Sequence, residues 1–117
     1  MGVPDRSYVF PLAQAQGRIA RAASGHSISV LERGSLNLRF SLPVLPNQQV
    51  PHAQDEIYVI VRGHGVLFHG GKRETFVAGD AMFVAAGTEH HFEDFTDDLA
   101  VWVVFYGPSG GEVPVRR

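Results

Sequence analysis

The chain has 117 residues, enough for one domain, and its 44% hydrophobic and 19% charged residues exclude a disordered polymer. Ten Lys and Arg against 12 Asp and Glu give a net charge of −2, which argues against a basic face and hence against nucleic acid as a partner. No apolar run approaches the roughly 20 residues of a membrane span. Cysteine is absent and Met1–Arg6 lack the pattern of a signal peptide, so a cytoplasmic protein with no membrane partner is expected.

In chain order, Pro11–Gln16 could form a turn or two of helix with Pro at its start, ended by Gly17. A strand is expected over His26–Glu32. In the next segment Leu36, Leu38, Phe40 and Leu42 alternate with Asn37, Arg39 and Ser41, the period of two of a half-buried strand. Ile57–Val61 is a continuous apolar run of strand length, ending at a turn over Arg62–Gly65. Val66–Phe68 leads into Gly70-Gly71, a dipeptide suited to a hairpin. Phe76-Val77, Gly79-Asp80 and Ala81–Val84 repeat the strand, turn, strand pattern, and Leu99–Tyr106 reads as a central strand. The tails, Met1–Ser7 and Gly107–Arg117, are rich in Gly, Pro and charge and are expected to lie over the surface. Eight or more short strands without intervening helices predict an all-β antiparallel sandwich or barrel, one domain over residues 1–117 with its core at about 26–106.

Six histidines bear on function. His64 and His69 fall at turns and read as solvated, and His26 opens a strand. His90 and His91 are neighbours, so a straight strand turns at most one of them inward. His52 and Glu56 are spaced His-x-x-x-Glu, but Pro51 before them and the apolar run after them disfavour a helix. In one straight strand they would sit about 13 Å apart at roughly 3.3 Å per residue, too far to share an ion with bonds of about 2.0–2.2 Å. They can share one only if the chain turns at Ala53-Gln54-Asp55, which leaves Asp55 outside as a solvated turn residue or cap.

At these positions the sequence resembles the cupin superfamily. Gly63, Glu56 and His52 fit the spacing of its first motif, with Val50 where the family has its first histidine. Gly79, Gly87 and His90 fit the second motif, with Ala85 in place of proline and Asp94 in place of asparagine. The resemblance covers Val50–Asp94, and the segments HAQDEIYVIVRG and HHFEDF look most like small stand-alone cupins. It implies a double-stranded β-helix, two antiparallel sheets rolled into a barrel, with His52, Glu56 and His90 as ligands of a divalent metal: Zn, Fe, Mn, Co or Ni.

Gln48, on the parity of Val50 and His52, is a further candidate ligand, and Asp94 a candidate to orient His90 from behind. Tyr58, Ile60 and Phe92 share the parity of the ligands on their strands. Phe83, Trp102, Phe105 and Tyr106 suit either core packing or an aromatic-lined mouth, and Arg39 either a substrate carboxylate or enolate, or solvent.

The resemblance admits a metal-dependent dioxygenase, isomerase or cyclase, as among the tetracenomycin-type proteins of polyketide biosynthesis. It also admits a non-catalytic module binding a small-molecule ligand, and a metal-free structural barrel. The strands Ile57–Val61 and Leu99–Tyr106, apolar on both faces, predict a homodimer.

Overall fold

A computed structural model describes residues 7–23, 25–45, 47 and 49–115. One helix, α1 (Leu12–Arg21), precedes eight strands: β1 (Ser27–Arg33), β2 (Leu36–Ser41), β3 (Asp55–Arg62), β4 (His64–His69), β5 (Lys72–Val77), β6 (Ala81–Val84), β7 (His90–Glu93) and β8 (Ala100–Tyr106). They form a five-stranded sheet in the order β1-β2-β8-β3-β6 and a three-stranded sheet in the order β5-β4-β7, with every pairing antiparallel. The two sheets are the halves of a double-stranded β-helix.

Turn chemistry sets the corners. Gly63 takes φ +90° where β3 breaks into β4, and a Cβ there would stand 2.9 Å from the Leu99 backbone. Only glycine relieves both constraints. His64 therefore opens β4, exposed, rather than sitting inside a longer turn. Gly70 and Gly71, both at positive φ, make the expected hairpin between β4 and β5.

The apolar residues form two clusters on opposite sides of the large sheet. Between the sheets, Tyr58, Ile60, Val101 and Val103 pack with Leu67, Phe76 and Phe92 of the small sheet. On the outer side, Phe40, Ala100, Ile28 and Trp102 are covered by Ala15 and Ile19 of α1. The apolar alternation of β2 thus faces the helix, and its polar residues face the barrel interior. The second apolar face of β8 is accounted for in the same way: Ala100 and Trp102 lie under α1, and the Trp102 ring sits 5.1 Å from that of Phe40.

Helix α1 runs past Gly17 to Arg21, longer than the sequence suggests. Leu12, Ala15 and Ile19 recur on one face, and burying them outweighs the roughly 1 kcal/mol that a mid-helix glycine costs. The C-terminal tail lies over the surface and is hydrogen-bonded to the chain ahead of β3 and at its start. The backbone N–H groups of Gly110 and Glu112 donate to the Ala53 carbonyl (2.7 Å) and the Asp55 carboxylate (2.9 Å). Among the described residues, no helix is long and apolar enough to cross a membrane.

Candidate metal centre

His52, Glu56 and His90 come from three different places. Glu56 is the second residue of β3, its side chain on the inward parity shared with Tyr58 and Ile60. His90 opens β7 in the opposing sheet, and His52 precedes β3 in the loop. The bend at Ala53-Gln54 brings them together: one nitrogen or carboxylate oxygen of each lies within 4.8 Å of the others. Among the described residues this is the only such group of three.

The bend is stitched from four directions. Gly87 N–H donates to the His52 carbonyl (2.7 Å), Ala86 N–H to Asp55 Oδ1 (3.0 Å), and the tail supplies the two bonds given above. Gln54 Nε2 donates to the Ser35 and Gly107 carbonyls. Asp55, expected outside as a solvated turn residue or a cap, is not solvated: it is 5% exposed and its carboxylate accepts from two backbone N–H groups, those of Ala86 and Glu112. The Glu112 and Ala86 amides hold its carboxyl below the usual carboxylate range. Sequence reasoning missed it because both partners are remote along the chain.

His90 is held from behind by Thr88. Its Nδ1 lies 2.9 Å from the Thr88 carbonyl, which can only accept, so Nδ1 carries the hydrogen and Nε2 points inward with its lone pair. This carbonyl does what was expected of Asp94, which is exposed at φ +48°. His90 Nε2 and Glu56 Oε1 face each other at 3.1 Å, 1% and 2% exposed, an ion pair when Nε2 is protonated and two unsatisfied acceptors when it is not. Two buried acceptors at that distance repel unless a cation or a proton lies between them.

Burial pushes the His52 imidazole below its ordinary value, helped by His90 and opposed by Glu56, so it is neutral near pH 7. Burial also lowers His90, but the nearby Glu56 carboxylate and the Thr88 carbonyl outweigh it, and its proton affinity ends above the ordinary value. The Tyr58 phenol is driven far up, by burial first and by Glu56 second. It stays protonated and donates to Gln49 Oε1 at 3.1 Å.

His52, Glu56, Tyr58 and Gln49 line a cavity of about 310 Å3 between the sheets. Val50, at the position of the family's first histidine, is 72% exposed, whereas Gln49 turns into the cavity. Gln48 lies outside the described residues. Phe92 and Phe105 line the cavity with Tyr58, and the Phe105 ring meets His52 edge-on at 4.7 Å. Of the other aromatics, Trp102 belongs under the helix and Phe83 is 55% exposed outside. His91 turns away from the site, stacked on Phe68 and 2.9 Å from Glu93, as strand alternation requires. His69 faces Glu74 at 2.8 Å beside its hairpin. His26 and Arg39 both line the cavity mouth.

Comparison with known proteins agrees with this architecture. Residues 44–106, more than half of the chain, match the family described as "Cupin domain". The chain is 39% identical over 63 residues to an uncharacterized protein of Streptomyces coelicolor, an alignment covering 54% of this chain and 60% of that protein. It is 36% identical over 66 residues to an acireductone dioxygenase of Geobacillus thermodenitrificans, covering 50% of this chain but only 37% of the dioxygenase. Among solved structures, a cupin 2 conserved barrel domain protein from Salinispora arenicola superposes with TM-score 0.64 at 18% identity, covering 88% of this chain and 91% of that one. Motif spacing, sheet order and these matches agree: the chain belongs to the cupin family.

Proposed function

We propose that this cupin holds one divalent first-row metal ion with His52, Glu56 and His90, and that it binds or transforms a small molecule in the adjoining cavity. The observation that carries this reading is the facing pair Glu56 Oε1 and His90 Nε2, both buried and, with Nε2 unprotonated, both unsatisfied acceptors. Leaving such groups unsatisfied costs about 1–3 kcal/mol each, and more when charged. His52, Glu56 and His90 would hold a divalent ion with two imidazoles and one carboxylate, and binding it would satisfy the facing pair. Such an ion, with positions left open, supplies Lewis-acid polarisation of a ligand oxygen or acidification of a bound water.

The chain's own groups orient and exclude. Thr88 fixes the His90 tautomer, and the braced bend fixes His52. Tyr58 is a neutral hydroxyl beside Glu56, tied to Gln49 and so to the loop that roofs the cavity. Phe92, Phe105 and the valines of β8 keep the inner wall dry, which suits a partly aromatic, polyketide-like molecule. The partial match to an acireductone dioxygenase is compatible with an oxygenase and leaves the reaction itself a matter for assay.

The test is elemental analysis of purified protein, as isolated and after reloading with Zn, Fe, Mn, Co or Ni. About one ion per chain is expected, lost in His90→Ala. Occupancy well below one after reloading with every metal would sink the proposal.

A homodimer remains part of this reading on narrower grounds. Helix α1 covers much of the outer apolar face, but Val59 and Phe83 on β3 and β6 remain exposed. A monomeric mass by light scattering would refute it.

A further inference from the structure

The inner face of β1 and β2 carries no metal ligand, yet it is polar where a barrel interior is ordinarily apolar. Arg39 sits there half-buried at the cavity mouth. Its Nε and Nη2 donate to the Ser27 hydroxyl at 3.1 and 3.0 Å, and Ser41 Oγ lies 2.9 Å from the same oxygen. Among the described residues that leaves three of the five guanidinium N–H groups for another partner. No carboxylate among the described residues lies within ion-pair distance of Arg39. The contrast with Arg73 is direct: that side chain, on the outside, is paired with Glu93 at 2.8 Å.

The ladder fixes where this cation stands. Arg39 is opposite Val103, and Val103 is opposite Tyr58, so Arg39 and Tyr58 occupy one cross-strand row. Two strand spacings put their backbones about 10 Å apart. Glu56 lies one inward position along β3, opposite Phe105. Arg39 and the side chains of His52 and Glu56 therefore line the same cavity, with Val103 and Phe105 of β8 standing between β2 and β3.

We propose that Arg39, oriented by Ser27 and Ser41, is a carboxylate-binding subsite, so that the molecule this cavity takes is a small monoanion carrying a carboxylate. The inference rests on the metal reading only for what the far end of that molecule meets. A partly desolvated guanidinium with free N–H groups matches a carboxylate in geometry, since its fork accepts two oxygens at once. In the metal-free protein Glu56 lines the same cavity and repels a second negative charge, which favours a carboxylate over a phosphate group. The small cavity volume limits the ligand to a metabolite-sized acid.

The experiment uses metal-free protein, so that no ion competes for the carboxylate, with hydrocinnamate and its neutral amide as probes in calorimetry. Wild type is expected to bind the acid at least about tenfold more tightly than the amide, the scale of a charge-assisted hydrogen bond. Arg39→Met should erase the preference and Arg39→Lys, which keeps the charge without the fork, should retain a smaller one. On titrating hydrocinnamate into wild type, the Arg39 Nε–H resonance should shift, a readout that needs no variant to fold. Equal affinities for acid and amide, a preference that survives Arg39→Met, or an unmoved Arg39 resonance would each overturn the subsite. Displacement of hydrocinnamate by inorganic phosphate at equal concentration would overturn its assignment to carboxylates. Metal loading is measured separately on wild type and Arg39→Met. Failure of loading in both, with the acid preference intact, would remove the metal and leave the subsite standing.

Discussion

Strand β2 presents two faces of opposite character. Its outward residues, Phe40 above all, lie in an apolar cluster sealed by helix α1, while its inward residues Arg39 and Ser41 face the cavity. In β3, two strands away, the polarity is shared differently: Tyr58 and Ile60 pack inward with the core, and Glu56 alone breaks that face. One end of the barrel interior is thus built for packing and one for polar contact. The stability of this part of the sheet is placed on the outside, under the helix.

Adjacent substitutions on β2 should separate these duties. Phe40 is wholly buried, and Phe40→Ala should cost about 3–5 kcal/mol. Urea unfolding should show this as a lower midpoint at unchanged slope. Arg39→Met, one residue away on the other face, should shift the midpoint little while changing ligand binding. Comparable losses of stability in the two variants would break the distinction.

How much of this was legible in the sequence follows from the same strand. Alternation declares that β2 has one buried face, but it does not say whether that face looks into the barrel or under a helix. The barrel itself was readable because glycines and prolines at short intervals, Gly63 and Gly70-Gly71 among them, punctuate short segments rich in β-branched or aromatic residues. The grouping of His52, Glu56 and His90 was readable from motif spacing together with the need for a bend. Asp55 was not, because its partners Ala86 and Glu112 are distant in the chain and nothing local announces them. Nor was the length of α1, since Ala15 and Ile19 gain their burial only from strands folded later in the chain.

The metal end can be tested with Glu56→Gln, which removes the charge and keeps the shape. Metal affinity should fall at least about 100-fold, in line with loss of an anionic ligand. The metal-free fold should stay within about 1 kcal/mol of wild type, because an acceptor facing His90 Nε2 is replaced by a group that can donate to it. A variant that still loads one ion tightly would mean that Glu56 is a packing residue like its neighbours on β3.

Asp55 tests whether the bend is braced or merely present. Asp55→Ala removes the acceptor shared by Ala86 and Glu112, and metal affinity should drop about 10–100-fold, as for other groups that hold a ligand in place. Hydrogen exchange at those two amides should accelerate at the same time. Unchanged affinity with faster exchange would show that the tail and loop move independently of His52.

Proton competition should follow the two histidines in turn. His90 has a raised proton affinity, so metal binding should weaken as pH falls through the range just above the ordinary histidine value. The slope there approaches one proton, about tenfold per pH unit. His52 is shifted down and joins only at lower pH, where the slope should steepen. Metal affinity measured downward from pH 8 should therefore begin to fall at the His90 titration and steepen at that of His52, and a flat profile would remove His90 from the ligand set.

The smallest effect belongs to the outer face, and it asks whether α1 is held by packing alone. Gly17 lies mid-helix with ordinary helical backbone, and an added Cβ would meet only the tip of the Arg21 side chain at 3.7 Å. Gly17→Ala should therefore stabilise the protein by about 0.5–1 kcal/mol, through lower entropy of the unfolded chain and better helix propensity. Because α1 packs on Phe40 and Trp102 and not on the cavity, ligand and metal affinities should not change. A gain in stability with altered binding would mean that the helix and the cavity mouth are coupled through β2, and that its two faces do not act independently.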